Sequence, residues 1–362
     1  MAKHRIALIP GDGIGKEVVP AGREVLEALA ACRPHLDFEF EHFEWGGDYY
    51  RRHGVMMPVD GLDALRNKDA ILFGSAGDPA IADHITLWGL RLKICQGLDQ
   101  YANVRPTRIL PGIDPPLKSC KPEDLNWVIV RENSEGEYSG VGGRVHQGHA
   151  LEVATDVTVI TRAGAQRILR FAFNLARSRP RKLLTVITKS NAQRHAMVMW
   201  DEIASETAEE FPDVRWDKEL VDAATARMVN RPGSLDTIVA TNLHADILSD
   251  LAAALAGSLG IAPTANIDPQ RRYPSMFEPI HGSAFDIMGK GLANPIGTFW
   301  SLVLMLEHLG EDEPARLVMR SVERVTADPH LHTRDLGGNA TTRQVTAAVC
   351  TSIARLAADF AY

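Results

Sequence analysis

The chain has 362 residues, 45% of them apolar and 23% charged, with a formal net charge of −7. That length exceeds what a single core usually serves, so two lobes are expected. The acidic balance gives no general attraction to nucleic acid or acidic lipid, and the one short basic run, RSRPRK at 177–182, reads as a solvated loop.

The chain starts MAKHRIALIPGDG, with an apolar run too short for a signal peptide, and no later run reaches bilayer length. A cytoplasmic protein is expected. Cys32, Cys95, Cys120 and Cys350 are scattered without CxxC spacing, which suits a reducing compartment and argues against a zinc site. RIALIP predicts a first strand and residues 16–30 a helix, followed by strands at AILFG, WVIVRE, LLTVIT and TIVAT. Helical periods recur at 162–178, 191–210 and 341–358. The alternation reads as α/β with a partly parallel sheet. From 104 to 150 the texture turns to Pro- and Gly-rich loops, which places a lobe boundary near 104.

PGDGIGKEVV, between the first strand and first helix, suggests dinucleotide binding, but Gly11, Gly13 and Gly15 give G-x-G-x-G, not G-x-G-x-x-G. A tight strand-to-helix turn, able to border a ligand through its N–H groups, is the better reading. Further on, ATNLHADILSDLAAAL carries Asp246 and Asp250 four residues apart, so on a helix two like charges are neighbours and repel. Alone, the stretch reads as one acid in a first turn and one in solvent. Arg105, Arg131 with Tyr138, and Lys189 stand in NVRP, VIVRENSEGEYSG and TVITKSN, the last two at strand-to-loop transitions, where α/β sheets form ligand crevices. Asp222 stands in ELVDAA. Each has an ordinary reading by itself, as a surface ion pair, a loop-packing ring or a solvated charge.

Together these stretches closely resemble the family of metal-dependent isocitrate, isopropylmalate and tartrate/D-malate dehydrogenases, over nearly the whole chain. IPGDGIGKEV, DQYANVRP, VIVRENSEGEYSG, ITKSN, VDAA, TNLHADILSDLAA, FEPIHGSAFDIMGKGLANPIG and GGNATT carry the resemblance in order. HITLWGLRLK and the RENSEGEYSG form point to the tartrate/D-malate branch. The resemblance implies the family's α/β fold rather than a Rossmann fold, with two lobes around a central cleft. The cofactor lobe would be 1–103 with 258–362, and 104–257 would bind substrate and metal and form a homodimer with shared active sites.

It further implies that Asp246 and Asp250, with Asp222 of the partner subunit, bind Mg²⁺ or Mn²⁺, which suit hard carboxylate oxygens and would offset the repulsion. A monovalent cation such as K⁺ is an additional candidate. Arg105 and Arg131 match the arginines that hold substrate carboxylates, Lys189 the base that takes the hydroxyl proton, and Tyr138 the residue that protonates the enol after CO₂ leaves. His281 and Asn294 would flank adenine, and the backbone of Gly282, Ser283 and Ala284 would lie near the phosphates. Asp286, with Ile287 beside it, would hold the ribose hydroxyls and repel a 2′-phosphate, which points to NAD.

One position departs from the pattern. Most relatives have an arginine eight residues before the asparagine of ANVRP, where this chain has Cys95. Arg91, one helical turn earlier if this stretch is helical, has two readings: it reaches over Cys95 to take the missing role, or it is a solvated helix arginine. The expected activity is NAD-dependent oxidation of a small hydroxy-diacid, tartrate or D-malate, with decarboxylation of the β-keto acid. Rival readings are isopropylmalate or isocitrate dehydrogenase, a non-catalytic regulatory subunit and, from the aspartates alone, a Mg²⁺-dependent phosphoryl-transfer enzyme.

Overall fold

A computed structural model describes residues 2–359. The chain divides into two compact units. Unit 1 comprises the described residues up to Gln100, then Pro106–Pro122, then those from Ala253 on; unit 2 comprises Tyr101–Arg105 and Glu123–Ala252. These boundaries differ from the expected 104 and 257 mainly in Pro106–Pro122. That segment packs within unit 1, where a Cβ on Gly112 would lie 2.4 Å from the Thr326 carbonyl oxygen and one on Gly257 2.4 Å from the Ile113 side chain.

In unit 1 the strands Leu36–His42, Ala2–Gly11, Ala70–Ser75, Ser275–Pro279 and Pro263–Ile267 lie side by side in that order. All neighbours are parallel except the last pair. Ala70–Ser75 is buried at every position, the burial expected of a parallel strand covered on both faces. Phe73, Ile71, Ile94, Cys95 and Met276 share one core cluster. The helix Ile296–Leu309 is apolar on nearly all sides and buried accordingly. Strands Leu36–His42, Pro263–Ile267 and Ser275–Pro279 were not anticipated; the first is an edge strand whose burial falls away after Leu36.

In unit 2 the order is the strand Ala102–Arg108 as far as Arg105, then Asn126–Glu132, Thr237–Ala240, Leu183–Thr188 and Arg215–Leu220. The last four are mutually parallel. The helices Arg162–Ser178 and Ala196–Ala208 bury Phe173, Leu169, Met197 and Trp200 with Val130, Val186 and Val239 from the strands. The second helix starts later than the expected 191, because Lys189 closes a turn in which its carbonyl accepts from the N–H groups of Ala192 and Gln193. A two-stranded antiparallel ribbon, Gly142–Val145 with Val153–Asp156, stands where only loop was expected. It is exposed at every position, so it carries no inside-outside alternation that a sequence reading could detect. Among the described residues no helix is long and apolar enough to cross a membrane.

Candidate active site

The helix Asn242–Leu255 follows the strand Thr237–Ala240 directly and carries Asp246 and Asp250 on one face. Asp246 is the hub of a polar cluster within unit 2. Arg131, 2% exposed at the end of its strand, donates to Asp246 Oδ1, and its Nε donates to Asn242 Oδ1 at 2.8 Å. Arg105 Nη1 reaches the same Oδ1 at 3.4 Å and Ser249 Oγ at 2.5 Å, while its Nε donates to Asn103 at 2.8 Å. The Tyr138 hydroxyl donates to Asp246 Oδ2 at 3.1 Å, and the Arg131 guanidinium lies 5.2 Å from the Tyr138 ring centre.

Two buried guanidiniums, a phenol and a carboxylate thus converge. Both arginines are clamped through Nε by an asparagine, which orients the fork, and both turn Nη1 to the Asp246 carboxylate. Sequence reading missed those clamps, Asn103 and Asn242, and also Ser249, although each lies within four residues of a predicted site residue. Asp250, one turn beyond Asp246 and exposed, has its carboxyl pushed above the usual range, first by partial desolvation and then by the charge of Asp246, against the pull of Arg105 and Arg131.

Lys189 and Asp222 form a second group in the same unit. Lys189 Nζ donates to Asp222 Oδ1 at 2.7 Å, and that hydrogen bond holds the Asp222 carboxyl below its usual range. Asp222 sits in the first turn of the helix Val221–Asn230, with a 66% exposed side chain. Among the described residues of one chain, no three His, Cys, Asp or Glu side chains are grouped to hold a metal. The fold therefore does not bring Asp222 to Asp246 and Asp250 within a single copy. The carboxylate donors themselves suit a hard divalent cation.

The predicted cofactor residues lie in unit 1. His281 and Asn294, with Ile14, Leu259, Ile287 and Leu292, line a cavity of ≈ 460 Å³. His281 Nδ1 pairs with the Gly282 carbonyl at 2.9 Å, and Nε2 is buried with no hydrogen-bond partner among the described residues. Burial depresses the His281 pKa. An orphaned ring nitrogen in a largely apolar cavity fits a heteroaromatic base. Asn294 is fixed by Asp335, whose Oδ2 accepts from its Nδ2 at 2.9 Å; Asp335 is a lining residue that the sequence did not suggest. Asp286 is exposed, and its backbone carbonyl accepts from Lys290 Nζ at 2.7 Å.

The glycine turn serves this loop by close packing. Ile14 N–H donates to the Ser283 carbonyl at 2.8 Å, and a Cβ on Gly13 would lie 1.8 Å from that oxygen. Ala284 adopts φ 38°, and Gly282 has open space around it. Gly13 is thus required by backbone approaching backbone.

Arg91 is held within unit 1. Its Nε donates to Glu278 Oε1 at 2.8 Å and its Nη2 to Asn266 Oδ1 at 3.3 Å, with side chains 12% and 6% exposed for Arg91 and Glu278. It is therefore neither a solvated arginine nor unengaged. Leu87–Arg91 forms a π-helical turn, and Leu92–Gly97, with Arg91 at its N-cap, an α-helix, so Cys95 does lie one α-helical turn beyond Arg91.

These features can be set beside known proteins. Residues 5–350 match the family described as isocitrate/isopropylmalate dehydrogenase. The chain belongs to that family. It is 68% identical to a protein of Agrobacterium vitis named probable tartrate dehydrogenase/decarboxylase, over 98% of this chain and 97% of that one. It is 50% identical to the decarboxylating D-malate dehydrogenase of Escherichia coli K12, over 98% of this chain and all of the other. The crystal structure of isocitrate dehydrogenase from Methylococcus capsulatus superposes with a TM-score of 0.87 at 35% identity, covering 97% of this chain and 99% of that one. The chain is an oxidoreductase with the isocitrate/isopropylmalate dehydrogenase fold.

Proposed function

We propose that the protein catalyses NAD-dependent, divalent-metal-dependent oxidation of a small hydroxy-diacid, tartrate or D-malate, and decarboxylates the β-keto acid formed. The observation that carries this reading is the convergence of Arg105, Arg131 and Tyr138 on Asp246, a set of donors suited to a doubly charged, oxygen-rich substrate. The relatives named for tartrate and D-malate support the substrate class.

When bound, NAD accepts hydride and Mg²⁺ or Mn²⁺ stabilises negative charge on substrate oxygen. The outer nitrogens of Arg105 and Arg131 grip the substrate carboxylates. Lys189 takes the hydroxyl proton at Nζ as hydride leaves the same carbon. Loss of CO₂ passes its bonding electrons to the neighbouring carbonyl, and the Tyr138 hydroxyl returns a proton to the resulting carbanionic centre. His281 and Asn294 receive adenine, and Asp286 meets the ribose hydroxyls.

A homodimer completes the reading, with Asp222 and Lys189 of one copy meeting Asp246 and Asp250 of the other. The exposed ribbon supports it: Val145, Leu151 and Val153 are 57%, 69% and 52% exposed, and an isolated two-stranded ribbon is marginal in water.

The test is to follow NADH formation across D-malate, the tartrate isomers, isopropylmalate and isocitrate with each metal, with CO₂ analysed. Preference for D-malate or a tartrate is expected. Preference for isocitrate or isopropylmalate would overturn the substrate, and no turnover on any of them would point to a regulatory subunit.

A further inference from the structure

A second polar cavity, of ≈ 400 Å³, opens in unit 1 at the amino ends of its parallel strands. Ligand crevices of α/β sheets lie at the opposite, carboxyl ends, where the Gly11–Gly15 turn and the His281 loop emerge. Nothing in the proposed chemistry uses this cavity. Its wall carries Lys3, Arg5, Arg66, Lys68, Arg271 and Arg272 against a single carboxylate, Asp69.

Most of these cations are anchored by carboxylates outside the cavity lining. Lys3 pairs with Glu39 and Lys68 with Glu41. Arg272 is gripped by Asp99 at 2.6 Å and Asp268 at 3.0 Å. Arg66 binds Asp63 and lies 4.6 Å from the Tyr273 ring centre. These anchors leave the cations little freedom to lose when a ligand arrives. Arg271 differs from the rest. Among the described residues its guanidinium has no hydrogen-bond or carboxylate partner, and its backbone is held at φ 55°, in the left-handed region. It is exposed, and its charge bears on His308 from the last turn of the helix Ile296–Leu309.

We propose that this cavity binds a small multivalent oxyanion, a polyphosphate or a polycarboxylate, with the exposed guanidinium of Arg271 as its principal donor. Guanidinium forks favour the planar or tetrahedral oxygens of such groups, and the volume suits an anion of three acidic groups. The inference is independent of the substrate assigned above.

The experiment is calorimetric titration of the full chain, at low ionic strength and with NAD present, using tripolyphosphate in one arm and citrate in the other. One anion per chain is expected, and the arm that binds identifies the class. Arg271→Asn, an exchange that tolerates the left-handed backbone, should weaken binding about 10- to 100-fold, and Arg271→Glu should abolish it. An Arg131→Gln enzyme should bind as wild type. Absence of binding by both anions, affinity unchanged in the Arg271 variants, or affinity lost in Arg131→Gln would each overturn the proposal.

Discussion

Lys189 and Asp222 meet at 2.7 Å because two neighbouring strands end in register: Thr188 pairs with Leu220, and the two site residues follow by one and two positions. Lys189 and Asp222, proposed as base and third metal carboxylate, are therefore held as one group by the paired strands. This gives a specific result for subunit mixing. Lys189→Ala and Asp246→Ala chains, each inactive alone, should recover about a quarter of wild-type activity after random exchange, because half the dimers carry one undamaged site of two. Lys189→Ala mixed with Asp222→Ala should recover nothing, since both lesions lie in the same half. Recovery in the second mixture, or none in the first despite proven exchange, would defeat shared sites.

Chelation should abolish turnover, and Mg²⁺ or Mn²⁺ should restore it. Independently of activity, the cation should raise thermal stability by about 2.7 kcal/mol at roughly 100 times its Kd. Asp246→Asn and Asp250→Asn should lose that increment. A metal-free enzyme that keeps full activity, or an increment that survives both exchanges, would make the aspartates structural.

NAD should be preferred over NADP. Asp286 is exposed in unit 1, so Asp286→Ala should remove repulsion of a 2′-phosphate without disturbing the core, narrowing the preference by about tenfold. Steady-state kcat/KM for both cofactors decides it; unchanged discrimination locates selectivity elsewhere.

The Arg91–Glu278 pair changes what an exchange at Arg91 reports. Removing the guanidinium leaves the buried Glu278 carboxylate without its cation, although Asn266 Nδ2 still donates to it at 2.7 Å, so Arg91→Ala should lower unfolding stability by about 3 kcal/mol, and adding Glu278→Gln should return part of it. Rescue through Cys95→Arg, attractive from sequence, conflicts with the site: Cys95 is 1% exposed in a cluster with Leu90, Ile94 and Leu98. Denaturant unfolding of the single and double variants, with KM for D-malate and tartrate measured alongside, separates a stability role from a substrate role. A fully stable Arg91→Ala protein would contradict the pair's importance.

The contrast between Arg91 and Arg131 shows what the sequence could reveal. Arg131 ends a strand and lies beside a motif with a strong family pattern, so its neighbourhood was legible. The structure places it on Asp246, one of the predicted metal-site aspartates. Arg91 depends on a π-helical turn and on Glu278, 187 residues away, and no local periodicity encodes either. The strands RIALIP, AILFG, WVIVRE, LLTVIT and TIVAT were readable because buried parallel strands are continuous apolar runs. The ribbon Gly142–Val145 with Val153–Asp156 was not, since every position in it is exposed and no burial imposes a pattern.

The last prediction concerns acid. His308 has its pKa pushed down to about 4, by burial first and then by the charge of Arg271, with Asp268 opposing. A histidine whose folded pKa lies below its unfolded value near 6.5 stays neutral in the native state while the unfolded chain takes up a proton. Its contribution is absent above about pH 6.5, and stability falls as pH drops from there to about 4. The full shift corresponds to about 3 kcal/mol at most, reduced because the ring is only partly buried. His281 and His244 are pushed down by burial and act in the same direction. For Asp268, burial raises the carboxyl, but hydrogen bonds from Arg272 and the backbone outweigh it, so its stabilisation is lost only at lower pH. His308→Leu keeps an apolar group near Phe277, whose ring centre is 5.6 Å from that of His308, and removes the proton site. The variant should lose about 1 to 2 kcal/mol less stability than wild type between pH 7 and pH 4.5. Parallel denaturant titrations at the two pH values measure this, and identical losses in both proteins would show that His308 does not govern acid sensitivity.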